Sequence, residues 1–506
     1  MYKKDKSIRK CVGLRKGLAL FFCIPLTIKA NPSTAPAYKL REITIASTGA
    51  IAPTVRYPYL RLLKWLTPTT DASLIHRYLS LKPGATFDAQ TLSCIKKRFT
   101  TLPYFSSVSI TRKGVNGAAD LIIETKDQFP IAVDLSLDKG PLCTITHHNA
   151  WGYGHCFSHQ LFLKKRWGYG LTYELPKLHG NCFFGGQWYS QIGNTDGDNK
   201  YRFNYKNLWI GKLFAIQAKD PCAPYYWITG LSGATKQFTE PVSAAPNRKN
   251  YTLILGKIGW VADGYEEISG VYALHGLEKL PKGGAIEMLY GYQYYNDCKH
   301  YNRHYIGING IKNIANPRLK YLHLSCESGA FIYKERFEEI ILKLALAYAG
   351  PPIQTCNGAR PFIRIDYIAG YRMDKERMLG IKRRDPEALE ALESDNCMQE
   401  PIHARLNVHL DSTLHTPIMV KDIRFVCLGF MDFIALYNRN HQLLNQTWVD
   451  SYGAGLQLAH TTMPWLAGTL KLGYSPLLGK MVPSVQLAMG PFKNKTAPNP
   501  TLIAYS

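Results

Sequence analysis

No stretch of this chain is long and apolar enough to cross a bilayer as a helix, which takes about 20 consecutive apolar residues. The best interior candidate, Ile340 to Ala349, is broken by Lys343 and alternates Leu342, Leu344, Leu346 and Tyr348 with smaller or polar residues. That is the period of a strand. CxxC pairs, HExxH, P-loops and dinucleotide fingerprints are also missing, which removes the common signatures of redox, zinc and nucleotide chemistry. Gly230, Leu231, Ser232 and Gly233 fall short of a nucleophile elbow because Ala234 stands where the closing glycine belongs. No enzyme activity and no cofactor is expected. Acidic residues are scarce, 37 against 61 Lys and Arg, giving a formal charge of +24. No basic run is interleaved with aromatics in an RNA-binding pattern, so nucleic acid is not the expected partner. Anionic lipid or lipopolysaccharide is.

What is present begins with a basic segment, Lys3 to Lys16, and a short apolar run, Gly17 to Ile28, which read together as a secretory signal over residues 1–30. An exported chain with no spanning helix is either soluble outside the cytoplasm or a β-barrel. Of the twelve cysteines, two fall in the leader and ten are scattered from Cys94 to Cys427. Small disulfide frameworks are not spaced like that, so mostly unpaired thiols are expected.

Between His403 and Phe492 the chain alternates with a period of two. Ala404, Leu406, Val408 and Leu410 point one way on a strand, and Arg405, Asn407, His409 and Asp411 the other. The pattern returns at Leu466, Leu470, Leu472 and Tyr474 against Thr469 and Lys471, and at Val485, Leu487 and Met489 against Ser484, Gln486 and Ala488. A soluble sandwich puts the charged face outside; a membrane barrel turns it inward. From Phe129 onward helical periodicity is absent, and turn clusters recur every ten to twenty-odd residues. Between Ala285 and Tyr295 the expected outward set is Ile286, Met288, Tyr290, Tyr292 and Tyr294, and 32 tyrosines with nine tryptophans suit aromatic girdles.

Residues 40–127 follow a different grammar, after a linker over 31–39. Leu40 to Ala46 reads as a strand. Thr70 or Asp71 can cap a helix carrying Leu74, Ile75, Tyr78 and Leu79, and Asp88 can cap a second with Leu92, Ile95 and Phe99 on one face. Val108 to Thr111 and Leu121 to Glu124 close the unit as a hairpin around Gly114 and Gly117. The order is β, α, α, β, β.

That order, the turn Leu81 to Asp88, and the segment Leu102, Pro103, Tyr104, Phe105, Ser106, Ser107, Val108 resemble a POTRA domain, the periplasmic module that precedes barrels of the bacterial surface antigen family, with BamA and TamA its best-known members. Asn149 to His155 resembles the aromatic, glycine-rich tract that follows the first strands of those barrels. The resemblance implies a mainly β chain: a transmembrane antiparallel barrel of about sixteen strands over residues 128–492, one small POTRA-like periplasmic domain, and a polar tail over 493–506. It also implies the bacterial outer membrane as location, unfolded client polypeptides as partners with possible accessory periplasmic lipoproteins, and work in inserting or translocating them. The alternative is a passive channel or structural surface barrel without assembly activity.

Site expectations follow from the same resemblance. Phe430, Met431, Asp432 matches the late-strand Phe, any residue, Asp pattern, whose acid fastens a loop cation inside the lumen. The loop motif is not intact here, and Lys382 or Arg383 is the expected partner of Asp432. The barrel seam is expected near Ile131 on the first strand and Val485 and Leu487 on the last, and Phe492 resembles the terminal aromatic by which such barrels are recognised. His147, His148, His155 and His159 cluster without a ligand spacing that fixes one face, so no metal is expected.

Overall fold

The computed structural model describes residues 38–489 apart from 51–66, 80, 115–116, 137–141, 163–166, 177–180, 196, 217–224, 240–249, 270–276, 297–300, 354–358, 374–402, 421–422, 438–448, 461–465 and 477–478. Residues from Ala37 onward form one compact unit. Its first part holds β1 (Tyr38–Thr48), α1 (Ala72–Tyr78), β2 (Thr86–Phe87), α2 (Ala89–Thr101), β3 (Phe105–Lys113) and β4 (Ala118–Asp127). The first strand thus takes in Tyr38 and Lys39, expected as linker, and the turn before α2 contributes a two-residue strand that pairs with β1.

Both helices start where their sequences dictate. Asp71 accepts from the Ser73 amide and Asp88 from the Thr91 amide, each supplying the acceptor that a first helical turn lacks. Those hydrogen bonds hold both carboxyls below their ordinary range. The apolar stripes, Leu74 and Ile75 on α1 and Ile95 and Phe99 on α2, bury against Val108 and Ile123 of the sheet. The sheet runs β2-β1-β4-β3, with β1 parallel to β4 and β3 antiparallel to it. β3 is therefore an edge, nine residues long and hydrogen-bonded on one side.

The remainder is a closed antiparallel barrel. Among the described residues it has eighteen strands, β5 (Ile131–Ser136) to β22 (Lys480–Met489), each paired with its sequence neighbours and the last with the first. Eighteen replaces the expected sixteen. The sequence pattern concealed strands whose two faces are both mixed: β10 (Gly197–Ile216) sets Lys206 and Lys212 on the face that also carries Leu208 and Ile210, so its period of two is blurred.

The inversion is settled by β13 (Leu277–Tyr295). Met288 and Tyr290 are 60% and 59% exposed on the outside, while Leu289 between them and Gln293 farther along the same face as Leu289 are buried inside. Leu208, Ile210, Leu231, Ile254 and Ile258 continue the exposed apolar surface on neighbouring strands. Ion pairs line the interior instead, such as Lys257 to Glu287 at 2.9 Å and Arg303 to Glu339 at 2.9 Å. Apolar outside and ionic inside is the arrangement a bilayer requires. Where inward rings are large, glycine makes room: a Cβ on Gly211 would lie 2.1 Å from Phe183 Cζ.

Strand length varies around the wall. β12 (Tyr251–Ser269) and β13 have nineteen residues each, well beyond the roughly 9–11 that a tilted spanning strand needs, whereas β5 has six.

Candidate functional site

β5 is the shortest barrel strand described. Pro130 immediately precedes it and has no N–H to offer a ladder. Among the described residues it pairs with β6 (Leu142–Ala150) over six residues, but with β22 over four: Ser136 opposite Gln486, Leu135 opposite Leu487, Asp134 opposite Ala488 and Val133 opposite Met489. By contrast β12 and β13 pair over nineteen. β22 itself carries Pro483, and proline in a strand is confined to places where one edge is free. At about 0.2–1 kcal/mol per cross-strand pair, four pairs contribute on the order of 1–4 kcal/mol. Leu487 takes part in this seam. Ile131 lies opposite His147 of β6, and Val485 opposite Leu470 of β21 (Leu466–Ser475); both belong to the seam strands, and neither is in the four seam pairs among the described residues.

Asp432 of β19 (Ile423–Tyr437) points into the barrel and is buried, as its outward neighbour Met431 and inward neighbour Phe430 confirm. Its partners are on the wall. His409, directly opposite on β18 (Ala404–Val420), approaches one carboxylate oxygen with Nδ1, and Ser451 Oγ of β20 (Val449–His460) donates to the other at 3.1 Å. The second ring nitrogen of His409 meets Asp411 at 2.7 Å, so a protonated ring donates to two carboxylates at once. Lys471 of β21 stands 3.9 Å from Asp411 and over the Phe430 ring. Lys382, Arg383 and Phe492 lie outside the described residues. The place of His409 opposite Asp432 depends on a register that the alternation alone does not fix.

A third cluster joins the helix-cap residues Thr70 and Asp71 to the glycine-rich tract Asn149 to His155. Ala150 to His155 forms the turn between β6 and β7 (His155–Phe162), and it packs against the start of α1. Asn149, 3% exposed, donates through Nδ2 to Thr70 Oγ1 at 2.8 Å and accepts from the Gly154 amide at 2.7 Å. The Thr70 amide donates to Asp127 Oδ2 at 2.7 Å, and the Asp71 amide to the Gly152 carbonyl at 3.0 Å. Gly152 and Gly154 have φ of +79° and +80°, and a Cβ on Gly152 would sit 2.4 Å from the Thr69 carbonyl oxygen. The glycines of this tract thus serve both the turn and the approach of the domain. Replacing Gly152 with alanine is expected to cost about 1–3 kcal/mol in a denaturant melt of the purified protein.

Asp127 is buried with one oxygen that has no hydrogen-bond partner among the described residues. Burial raises its carboxyl above the ordinary value, against the pull of the Thr70 hydrogen bonds. A folded-state pKa that is raised for an acid means stability that is complete below the unfolded value, about 3.9, and is lost as pH rises through the folded one. Asp127→Asn removes that loss. Its melting temperature should exceed wild type around neutrality and match it below about pH 4, as calorimetry across pH would show.

The four histidines do not converge. His155 and His159 each hydrogen-bond a tyrosine hydroxyl, Tyr173 and Tyr169, both at 2.7 Å, while His148 lies buried against Cys156. No group of three or more metal-ligating side chains occurs among the described residues. Cys143, Cys182, Cys326 and Cys427 are free thiols, and Cys94 is disulfide-bonded.

No protein-family model and no curated protein matches the chain. Solved structures to which it is similar include CdiB from Escherichia coli, at 9% identity and TM-score 0.47 over 97% of this chain and 100% of that one. CdiB from Acinetobacter baumannii gives 11% identity and TM-score 0.44 over 97% and 100%. BamA from Haemophilus ducreyi lacking POTRA domains 1-3 gives 12% identity and TM-score 0.41 over 90% of this chain and 84% of that one.

Proposed function

We propose that this chain is a BamA/TamA-like outer-membrane barrel that inserts client proteins into the membrane or passes polypeptides across it, without enzymatic chemistry. The observation that carries the reading is the seam between β5 and β22, which has four pairs among the described residues. A wall whose other ladders are longer has one place where opening is cheap, and an opened seam exposes two strand edges inside the bilayer. Client strands can extend those edges through backbone hydrogen bonds with little demand on sequence.

The α+β domain fits a periplasmic receiving role, because β3 offers a second free edge of nine residues. Its outer residues Arg112 and Lys113 favour acidic or neutral client segments. Outer-membrane lipid and lipopolysaccharide complete the surroundings, and accessory periplasmic lipoproteins are further candidate partners. A loop cation, Lys382 or Arg383, reaching Asp432 would reinforce the wall near the seam.

Conditional depletion followed by quantitative outer-membrane proteomics tests the reading. Broad loss of unrelated barrels supports general assembly, and loss of one or two proteins supports a dedicated transporter. Normal levels of every other barrel, with reduced small-solute permeability, would replace it with a passive channel.

A further inference from the structure

The junction between the α+β domain and the barrel has no slack. β4 ends at Asp127 and β5 begins at Ile131, so three residues connect them. Each end of that connection is tied: the Gln128 amide donates to the Tyr104 carbonyl on the domain side, and the His148 amide donates to the Pro130 carbonyl on the barrel side. Beside it sits the buried chain of hydrogen bonds from Gly154 through Asn149 and Thr70 to Asp127. Arg77 Nη2 donates to the Tyr153 carbonyl at 3.2 Å on one flank, and Arg98 Nη2 to the Tyr226 hydroxyl at 3.0 Å on the other.

Asn149 occupies the middle because a carboxamide both donates and accepts. Its oxygen holds the shape of its own turn, and its nitrogen holds the domain. Thr70 does the converse, accepting from the barrel through its hydroxyl while its amide reaches Asp127. Phe105, the first residue of the free edge strand β3, is the register partner of Asp127. The foot of that edge is therefore placed beside the same residue from which the chain runs into β5.

We propose that Asn149, Thr70 and Asp127 form a buried pin that fixes the angle of the α+β domain to the seam strand, so that a client strand added along β3 is presented at the foot of β5. The pin makes these three residues positioning residues for the transfer of a client strand, and this rests on the assembly reading above. Without the pin the two edges remain intact but lose their fixed relation.

Hydrogen exchange of the full-length protein in nanodiscs, with no client present, reads the pin directly. Asn149→Asp keeps the acceptor for the Gly154 amide and loses the donor to Thr70; Thr70→Val keeps the branched shape and loses the hydroxyl. Each should speed exchange of residues 67–78 by at least about tenfold and leave β12 and β13 unchanged. The double variant should be no faster than either single one, and Thr70→Ser should restore wild-type protection. Unchanged exchange in residues 67–78, or acceleration spread equally through β12 and β13, would overturn the pin.

Insertion of an unfolded barrel client into proteoliposomes then reads positioning. A drop of at least about tenfold in the two single variants, with recovery in Thr70→Ser, supports it. A loosened pin with normal insertion overturns the positioning role. If the wild-type protein inserts no client while the exchange result holds, the assembly reading fails and takes the transfer role with it, though the pin itself stands.

Discussion

A disulfide between Asp134→Cys and Ala488→Cys is expected to reduce client insertion to the level of empty liposomes, and a reductant is expected to restore it. These two positions are register partners at the centre of the four-pair seam. The ladder there contributes little, so thermal fluctuation opens it; a covalent bridge with its short Cα separation removes that opening altogether. The choice avoids a native thiol, because the residue opposite Asp134 on β6 is Thr144, whereas Leu135 faces Cys143. Each single cysteine serves as a control. A second control bridges Ile254 to Tyr292, register partners in the nineteen-pair β12–β13 ladder, where locking should have no effect. Full insertion by the oxidised seam variant would show that clients enter without the seam opening.

The second large effect is expected at Asp432. Replacing it with alanine removes an acceptor from both His409 and Ser451, while His409 keeps its contact with Asp411. Breaking a buried charge pair by removing one partner costs about 3–5 kcal/mol, which denaturant unfolding in detergent would register as a lower midpoint. The His409→Ala, Asp432→Ala double variant should lose less than the sum of the singles, since each single already breaks the shared contact. A loss below about 0.5 kcal/mol, the range of an inconsequential surface change, would mean that the wall does not depend on this cluster. Adding Lys382→Ala and Arg383→Ala to the same cycle measures how far the loop cations also act on Asp432: no coupling would confine its role to the wall.

The features legible in the sequence were those carried by local periodicity or a single side chain. Asp71 and Asp88 could be read as helix caps because capping needs no more than the residue and its immediate successors. Ile286, Met288, Tyr290 and Tyr292 could be read as one face because a strand alternates whatever its neighbours are. Strands with mixed faces, β10 above all, and those that set histidines on one face such as β7 escaped that reading, and with them the number eighteen. Relations between strands were harder. On the wall the partner of Asp432 is His409, 23 positions upstream on the adjoining strand, a relation set by register, while the expected loop partner, Lys382 or Arg383, lies outside the described residues. The pin was invisible for a similar reason. Asn149 and Thr70 are separated by 79 positions, and neither polar residue is unusual in its own neighbourhood. The tract from Trp151 to Gly154 did stand out, but its glycines answer to Thr69 and Leu74, which only the docked domain brings near.

The seam also governs how this protein itself reaches its native state. The strands that meet there lie roughly 350 residues apart in the chain, the longest sequence separation of any barrel ladder. Every other pairing in the wall is between strands consecutive in the chain, so the sheet can zip up locally as an open ribbon before its ends find one another. Circle closure then demands a large loss of chain entropy in return for four pairs. The last kinetic step is consequently the least rewarded, and until it occurs the ribbon carries two exposed edges prone to aggregation. A newly synthesised copy should therefore depend on help from an already folded catalyst, and its folding half-time should respond more to that help than to any change in the other seventeen strand pairings.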